Sequence, residues 1–148
     1  MITFNNQEIK YSLKNKTILK QWVIKIIEKK KKKAGEINFI FCSDGYLLNI
    51  NQRYLNHNTY TDIITFDYSK ETNNPPNPLF KVEFLSGDIY ISVDRVEENA
   101  KKFSKTFENE LHRVIIHGVL HLLGYTDKTK KAKEEMTMQE DLCLKLLV

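Results

Sequence analysis

Val114-Ile115-Ile116-His117-Gly118-Val119-Leu120-His121-Leu122-Leu123-Gly124-Tyr125 is the longest apolar stretch of this 148-residue chain. Its length of about twelve residues falls well short of the roughly 20 that span a bilayer. Two histidines also interrupt it, so it reads as a buried helix of a globular domain. Followed upstream, the helical pattern extends over residues 107–123 and is the most apolar in the chain. Gly124, with no Cβ, permits the left-handed geometry that ends such a helix.

Working outward, Asp94 starts a further helix through Ala100 to Phe103, and a last helix is expected over about residues 129–146. Upstream, Ile18, Leu19, Trp22, Val23, Ile26 and Ile27 recur at three and four, predicting an amphipathic helix over residues 16–33 closed by Gly35. The lysines at 29–33 then fall in its last turns, where cations suit the negative end of the helix dipole. Residues 37–42, 61–66 and 82–92 are short, β-branched and aromatic, and read as strands. Ser43 or Asp44 caps a helix between the first two of these. Gly87-Asp88 suggests a bulge or a close backbone approach inside its strand. Residues 71–78, with three prolines and three asparagines, read as a loop. Counting a first strand near the N-terminus, the expected architecture is α+β. It is one domain, residues 1–148, with one mixed β-sheet of about four strands packed with about five helices. The histidine motif ends its central buried helix.

Composition narrows the function classes. A chain of 148 residues, 41% hydrophobic and 28% charged, is the size of one domain that buries a core without disulfides. Cys42 and Cys143 lie far apart with no Cys-x-x-Cys spacing, which argues against a disulfide framework or a disulfide-linked partner. The 23 cations exceed the 19 acids to give +4, which allows a polyanionic partner without demanding one. Twenty of the 23 are lysine, so part of the basicity is compositional. No basic segment followed by an apolar one opens the chain, so the cytoplasm is the expected compartment and no membrane is expected as partner.

Chemistry concentrates in one place. His117 and His121 are four residues apart and therefore on one face of a helix, one above the other. Such a pair can simply pack, but Asp127 follows six residues beyond His121, past the turn at Gly124, and can fold back toward both rings. Two histidines and a carboxylate make three ligands and leave a fourth position open, the arrangement of a catalytic zinc whose water falls from a pKa of about 15.7 to roughly 7. Zinc proteases place glutamate directly after the first histidine as general base; Gly118 stands there, which disfavours peptide hydrolysis.

The run His117-Gly118-Val119-Leu120-His121-Leu122-Leu123-Gly124-Tyr125-Thr126-Asp127 resembles the signature His-Gly-x-Leu-His-Leu-x-Gly-Tyr-Asp-His of the YbeY-type rRNA maturation endoribonucleases. The first nine positions fit and the last two differ. Thr61-Asp62-Ile63-Ile64-Thr65-Phe66 is similar to that family's Thr-Asp-Val-Leu-Ser-Phe, and Gly87-Asp88-Ile89-Tyr90-Ile91-Ser92 to its Gly-Asp-Ile-x-Ile-Ser. Asn51, Tyr54, Glu110 and Leu111 also match. The resemblance implies a metal-dependent single-strand endoribonuclease acting in ribosomal RNA maturation and in ribosome quality control. Its partners would be RNA, namely ribosomal RNA or ribosomal subunits. It implies one divalent transition metal, Zn²⁺ foremost, on His117, His121 and Asp127.

Two departures bear on that expectation. Asp127 falls where the family has its third histidine, lowering the site's charge by one and favouring harder metals. In a second alignment Thr126 is an insertion, Asp127 matches the signature's aspartate and the third ligand is missing. Leu55 occupies the family's arginine position after Tyr54, and Arg53 lies two residues earlier, rotated by about 200° on a helix. Arg53 and Lys128 are candidate substrate contacts, with plain solvation as the competing reading for each. Asp88 is a candidate to orient a ligand histidine, against a surface aspartate in a turn. The competing function is an RNA- or ribosome-binding factor with a structural metal and no turnover.

Overall fold

The computed structural model describes residues 1–57, 59–75, 79 and 82–147. Four strands, β1 (Ile2–Asn6), β2 (Lys33–Cys42), β3 (Ile63–Asp67) and β4 (Phe84–Ser92), form one sheet in the order β1-β2-β4-β3. β1 and β4 both run parallel to β2, while β3 pairs antiparallel with β4 at the sheet edge. Six helices accompany them among the described residues: α1 (Lys16–Lys29), α2 (Asp44–Leu55), α3 (Ser69–Thr72), α4 (Val93–Lys102), α5 (Phe107–Leu122) and α6 (Lys130–Leu144). The α+β class, the mixed sheet and the central apolar helix are as the sequence predicts.

Strand alternation gives the sheet two different faces. Ile37, Phe39 and Phe41 of β2, with Ile89 and Ile91 of β4, join one core with Trp22, Val23 and Ile26 of α1 and Ile115, Ile116 and Val119 of α5. Gly118 brings α5 onto this face: a Cβ there would sit 2.8 Å from Ile89 Cγ2 and 3.0 Å from Ile63 Cδ1. α6 closes the outer side through Met136 and Cys143, and Trp22 Nε1 donates to the Cys143 carbonyl at 2.9 Å. Both cysteines are free and buried. At one end of the other face, Leu47 and Ile50 of α2 pack on Cys42 and Ile64. Toward β1 it is polar, with Thr3 Oγ1 donating to Asn38 Oδ1 at 2.6 Å and Asn38 Nδ2 donating to Asp88 Oδ1 at 3.0 Å.

Several boundaries differ from the expectation for local reasons. α1 stops at Lys29, and Lys31 takes the positive φ of 62° that turns the chain into β2. Gly35 therefore lies inside β2, where a Cβ would fall 2.5 Å from Ser86 Oγ and 2.9 Å from the Leu85 carbonyl. The irregular register falls between Ala34 and Ile37, while Gly87 is a close approach, its hypothetical Cβ 2.5 Å from the Phe66 carbonyl. α3 sits at the start of the expected loop, held because Asn73 Nδ2 donates to the Ser69 and Phe84 carbonyls. Residues 76–78 of that expected loop lie outside the described residues. No helix is long and apolar enough to cross a membrane among the described residues.

Candidate metal centre

α5 begins at a serviceable cap, Thr106 Oγ1 accepting from the Asn109 amide at 3.1 Å, and delivers His117 and His121 on adjacent turns of one face. Gly124, at φ 102°, reverses the chain, and the Tyr125 amide donates to the Leu120 carbonyl at 3.0 Å. That reversal returns Asp127 to the histidines. Its Oδ2 is 3.3 Å from His117 Nε2 and 3.7 Å from His121 Nε2, and the two Nε2 atoms are 3.0 Å apart.

The other ring nitrogens decide what this convergence means. His117 Nδ1 lies 2.6 Å from Glu140 Oε2, and His121 Nδ1 lies 3.0 Å from the Tyr125 carbonyl oxygen. Both oxygens only accept, so each Nδ1 carries the proton and donates it. Neutral rings then present two Nε2 lone pairs and a carboxylate oxygen to one another. Three acceptors within 4.8 Å repel unless a cation or an extra proton lies among them. Two nitrogens at zinc-bonding distance and tetrahedral angle are about 3.3 Å apart, and the observed separations bracket that value. The donor set fits a divalent cation.

The surroundings reinforce it. Arg113 Nη1 donates to Glu140 Oε1 at 2.8 Å and its Nη2 to Asp141 Oδ1 at 2.6 Å, so the carboxylate that orients His117 is itself held. Burial works against the charged form of His117, yet the hydrogen bond to Glu140 and the charges of Glu140, Asp127 and Asp62 outweigh it and raise its pKa. His121 moves the opposite way, lowered by burial first and further by any proton that His117 takes up. A cavity of about 420 Å³ is lined by Asp62, Glu110, Arg113, His117, His121, Asp127 and Glu140 among others. Burial raises the Asp62 carboxyl, opposed by the charge of His117. With four acids against one arginine, the cavity attracts cations.

The remaining predicted residues separate. Lys128 lines an adjoining groove with His121, Leu55, His57, Thr59 and Thr65. Arg53 lies instead in a hollow on the second face of the sheet, with Tyr46, Tyr54, Phe66 and Tyr90. Asp88 is on that second face too, bonded to Asn38, because its strand neighbour Ile89 faces α5 and successive side chains alternate. The orienting carboxylate expected at Asp88 is therefore Glu140 for His117, and a backbone carbonyl does the same for His121. Glu140 is 19 residues past His121 on another helix, and no spacing rule connects them. Asp62 is visible in the sequence only as part of a strand-like motif.

The family model described as Endoribonuclease YbeY matches residues 1–148. A protein of Flavobacterium psychrophilum named Endoribonuclease YbeY is 49% identical over 146 residues, covering 99% of this chain and 96% of its own. One of the same name from Karelsulcia muelleri is 47% identical over 137 residues, covering 93% and 89%. The solution structure of a Thermotoga maritima protein superimposes with a TM-score of 0.65 at 27% identity, covering 99% of this chain and 89% of that one.

Proposed function

Because the chain belongs to the YbeY endoribonuclease family, we propose that it is a metal-dependent endoribonuclease that cuts single-stranded RNA in the maturation of ribosomal RNA. Residues 1–148 act as one hydrolase domain, working in the cytoplasm on ribosomal RNA or ribosomal subunits. The observation that carries the chemical part is the convergence of His117 Nε2, His121 Nε2 and Asp127 Oδ2, with both Nδ1 atoms already committed as donors.

These three residues would hold the metal, with Zn²⁺ as the ion their donor types favour and Mn²⁺ better accommodated than by three histidines. When bound, such a cation supplies Lewis-acid polarisation of water and of the scissile phosphate. Glu140 keeps the His117 ring in the tautomer that points Nε2 inward, and the Tyr125 carbonyl does so for His121. Lys128, in the groove beside His121, contributes a positive charge for a backbone phosphate. Gly118 leaves no side chain where a zinc protease carries its base, and its place against Ile89 is filled by packing.

The test supplies Zn²⁺ or Mn²⁺ to metal-stripped protein and follows cleavage of a single-stranded ribosomal RNA fragment, beside the His117→Ala variant. Cleavage restored by metal and abolished in the variant is the expected result. Salt-sensitive RNA binding with no cleavage at any metal would overturn the enzyme in favour of a binding factor.

A further inference from the structure

The second face of the sheet carries a hollow of about 320 Å³ that the metal centre does not use. Tyr46, Asn49, Ile50, Arg53 and Tyr54 of α2 line one side, and Phe66, Tyr68 and Tyr90 the other. Its rings form a chain. Tyr46 stacks on Tyr90 at 6.4 Å between centroids and 27° between planes. Phe66 meets Tyr90 edge-on at 5.9 Å, and Tyr54 meets Phe66 edge-on at 6.0 Å. The outer rings are not buried by this arrangement: Tyr54 is 66% and Tyr68 45% exposed. Exposed aromatic side chains around one concavity, with an arginine in its lining, are unusual for a surface shaped only by folding.

We propose that this hollow is a nucleobase-binding subsite for the single-stranded RNA substrate, in which one base stacks on the exposed rings and Arg53 takes the adjoining phosphate. The inference rests on the ribonuclease reading and extends it to a position away from the cut.

Three observations select RNA as the occupant. Stacking on aromatic side chains next to a cation for the backbone is how unpaired bases are held, and every base has a face to offer. The Tyr68 hydroxyl bonds Asp88, and the other tyrosines and the Asn49 amide supply polar groups that a purely aliphatic ligand would leave unused. The hollow also shares its walls with the groove that leads to His121. Tyr54 and Phe66 line the hollow, while Leu55 and Asp67, their next residues in the chain, line the groove. A strand bound at the metal centre therefore reaches the hollow by passing over the β3 edge and the last turn of α2. This assigns Arg53 a phosphate beyond the metal site, and it accounts for a cation there when Leu55 occupies the groove side.

The experiment compares two phosphorothioate-stabilised probes by fluorescence anisotropy, a short single-stranded oligoribonucleotide and the same chain made abasic throughout. The wild-type protein should bind the base-bearing strand roughly tenfold more tightly. In Tyr54→Ala, and further in Tyr54→Ala with Tyr68→Ala, that preference should collapse toward unity, while both rings' exposure leaves the fold and bound metal intact by circular dichroism and elemental analysis. Arg53→Ala should weaken both probes alike and reduce the salt slope by about one. An unchanged base preference in the tyrosine variants, or no preference in the wild type, overturns the subsite. If the wild type still cleaves RNA in that case, only the subsite fails. If it neither binds nor cleaves, the ribonuclease reading fails with it.

Discussion

Glu140 Oε2 approaches His117 Nδ1 to 2.6 Å, and the second oxygen of the same carboxylate accepts from Arg113 Nη1 at 2.8 Å. α6 thus reaches across to α5 and fixes the tautomer of a residue 23 positions earlier. The carboxylate is nearly buried, at 8% side-chain exposure, so its charge is little screened. Glutamine there can still accept from Nδ1, but it removes the charge that makes Nε2 more basic. Glu140→Gln should weaken zinc affinity about 10- to 100-fold, read by competition with a calibrated chelator. Affinity equal to wild type would show that His117 needs no such support.

Asp127 separates two alignments of the signature. If its carboxylate is the third donor, Asp127→Ala should lose most of the metal that elemental analysis finds in the parent, and Asp127→His should keep it. The His variant restores a neutral third ligand and raises the site's net charge by one, so it should also favour Zn²⁺ over Mn²⁺ relative to the parent. Full metal content in Asp127→Ala would instead favour the alignment with Thr126 inserted.

Lys128 lines the groove beside His121 and is exposed. One phosphate contact contributes about one unit to the slope of log affinity against log salt. Lys128→Ala should lower the slope of RNA binding by about that much without changing metal content. An unaltered slope would return Lys128 to ordinary solvation.

Gly87 faces the Phe66 carbonyl, where β3 and β4 pair, and a methyl group there would lie 2.5 Å from that oxygen and 2.9 Å from Leu122 Cδ2. Leu122 can shift, but the carbonyl is tied into the ladder. Gly87→Ala should therefore cost about 1–3 kcal/mol, measured as a fall in the urea midpoint at constant slope. A midpoint unchanged within error would mean that β3 slides at its edge to make room.

What the sequence reveals and what it hides follow from the range of the interactions. The helical face of α5, the four-residue histidine spacing and the turn at Gly124 are local, so the pattern puts His117 and His121 on one face and leaves Asp127, past the turn, able to fold back toward them. The close approach at Gly87 is legible because a glycine inside a strand weakens it, and is kept where another backbone crowds the Cβ position. Gly35 misleads for a related reason: a glycine after a helical run looks like a cap, while its true neighbours, Leu85 and Ser86, are about 50 residues away along the chain. Glu140 and Asp62 escape a sequence-based reading as site residues because burial beside His117 comes from tertiary packing. Asp88 stays open in the sequence between orienting a ligand histidine and lying in a surface turn, because the direction of a strand side chain depends on the register, which turns it toward Asn38.

His112 offers a test of the core that does not involve the metal. It lies on α5 beside Trp22, with ring centroids 6.2 Å apart at 66°, and burial pulls its pKa below the ordinary 6.5, opposed by the charge of Glu108. The unfolded chain therefore binds this proton more readily than the folded one. Stability rises with pH wherever the unfolded state holds more protons, so the contribution is full above 6.5 and is lost as pH falls from 6.5 toward the depressed folded value. Between about pH 7.5 and pH 5.5 the urea midpoint should fall more in wild type than in His112→Gln, which has nothing to protonate there. Raised carboxyls such as Glu110, shifted up chiefly by burial, act in the opposite sense, favouring the fold as pH falls, and are common to both proteins. The difference between the two pH profiles isolates the histidine. Parallel profiles would mean that His112 charges without penalty, and that its contact with Trp22 is open to water.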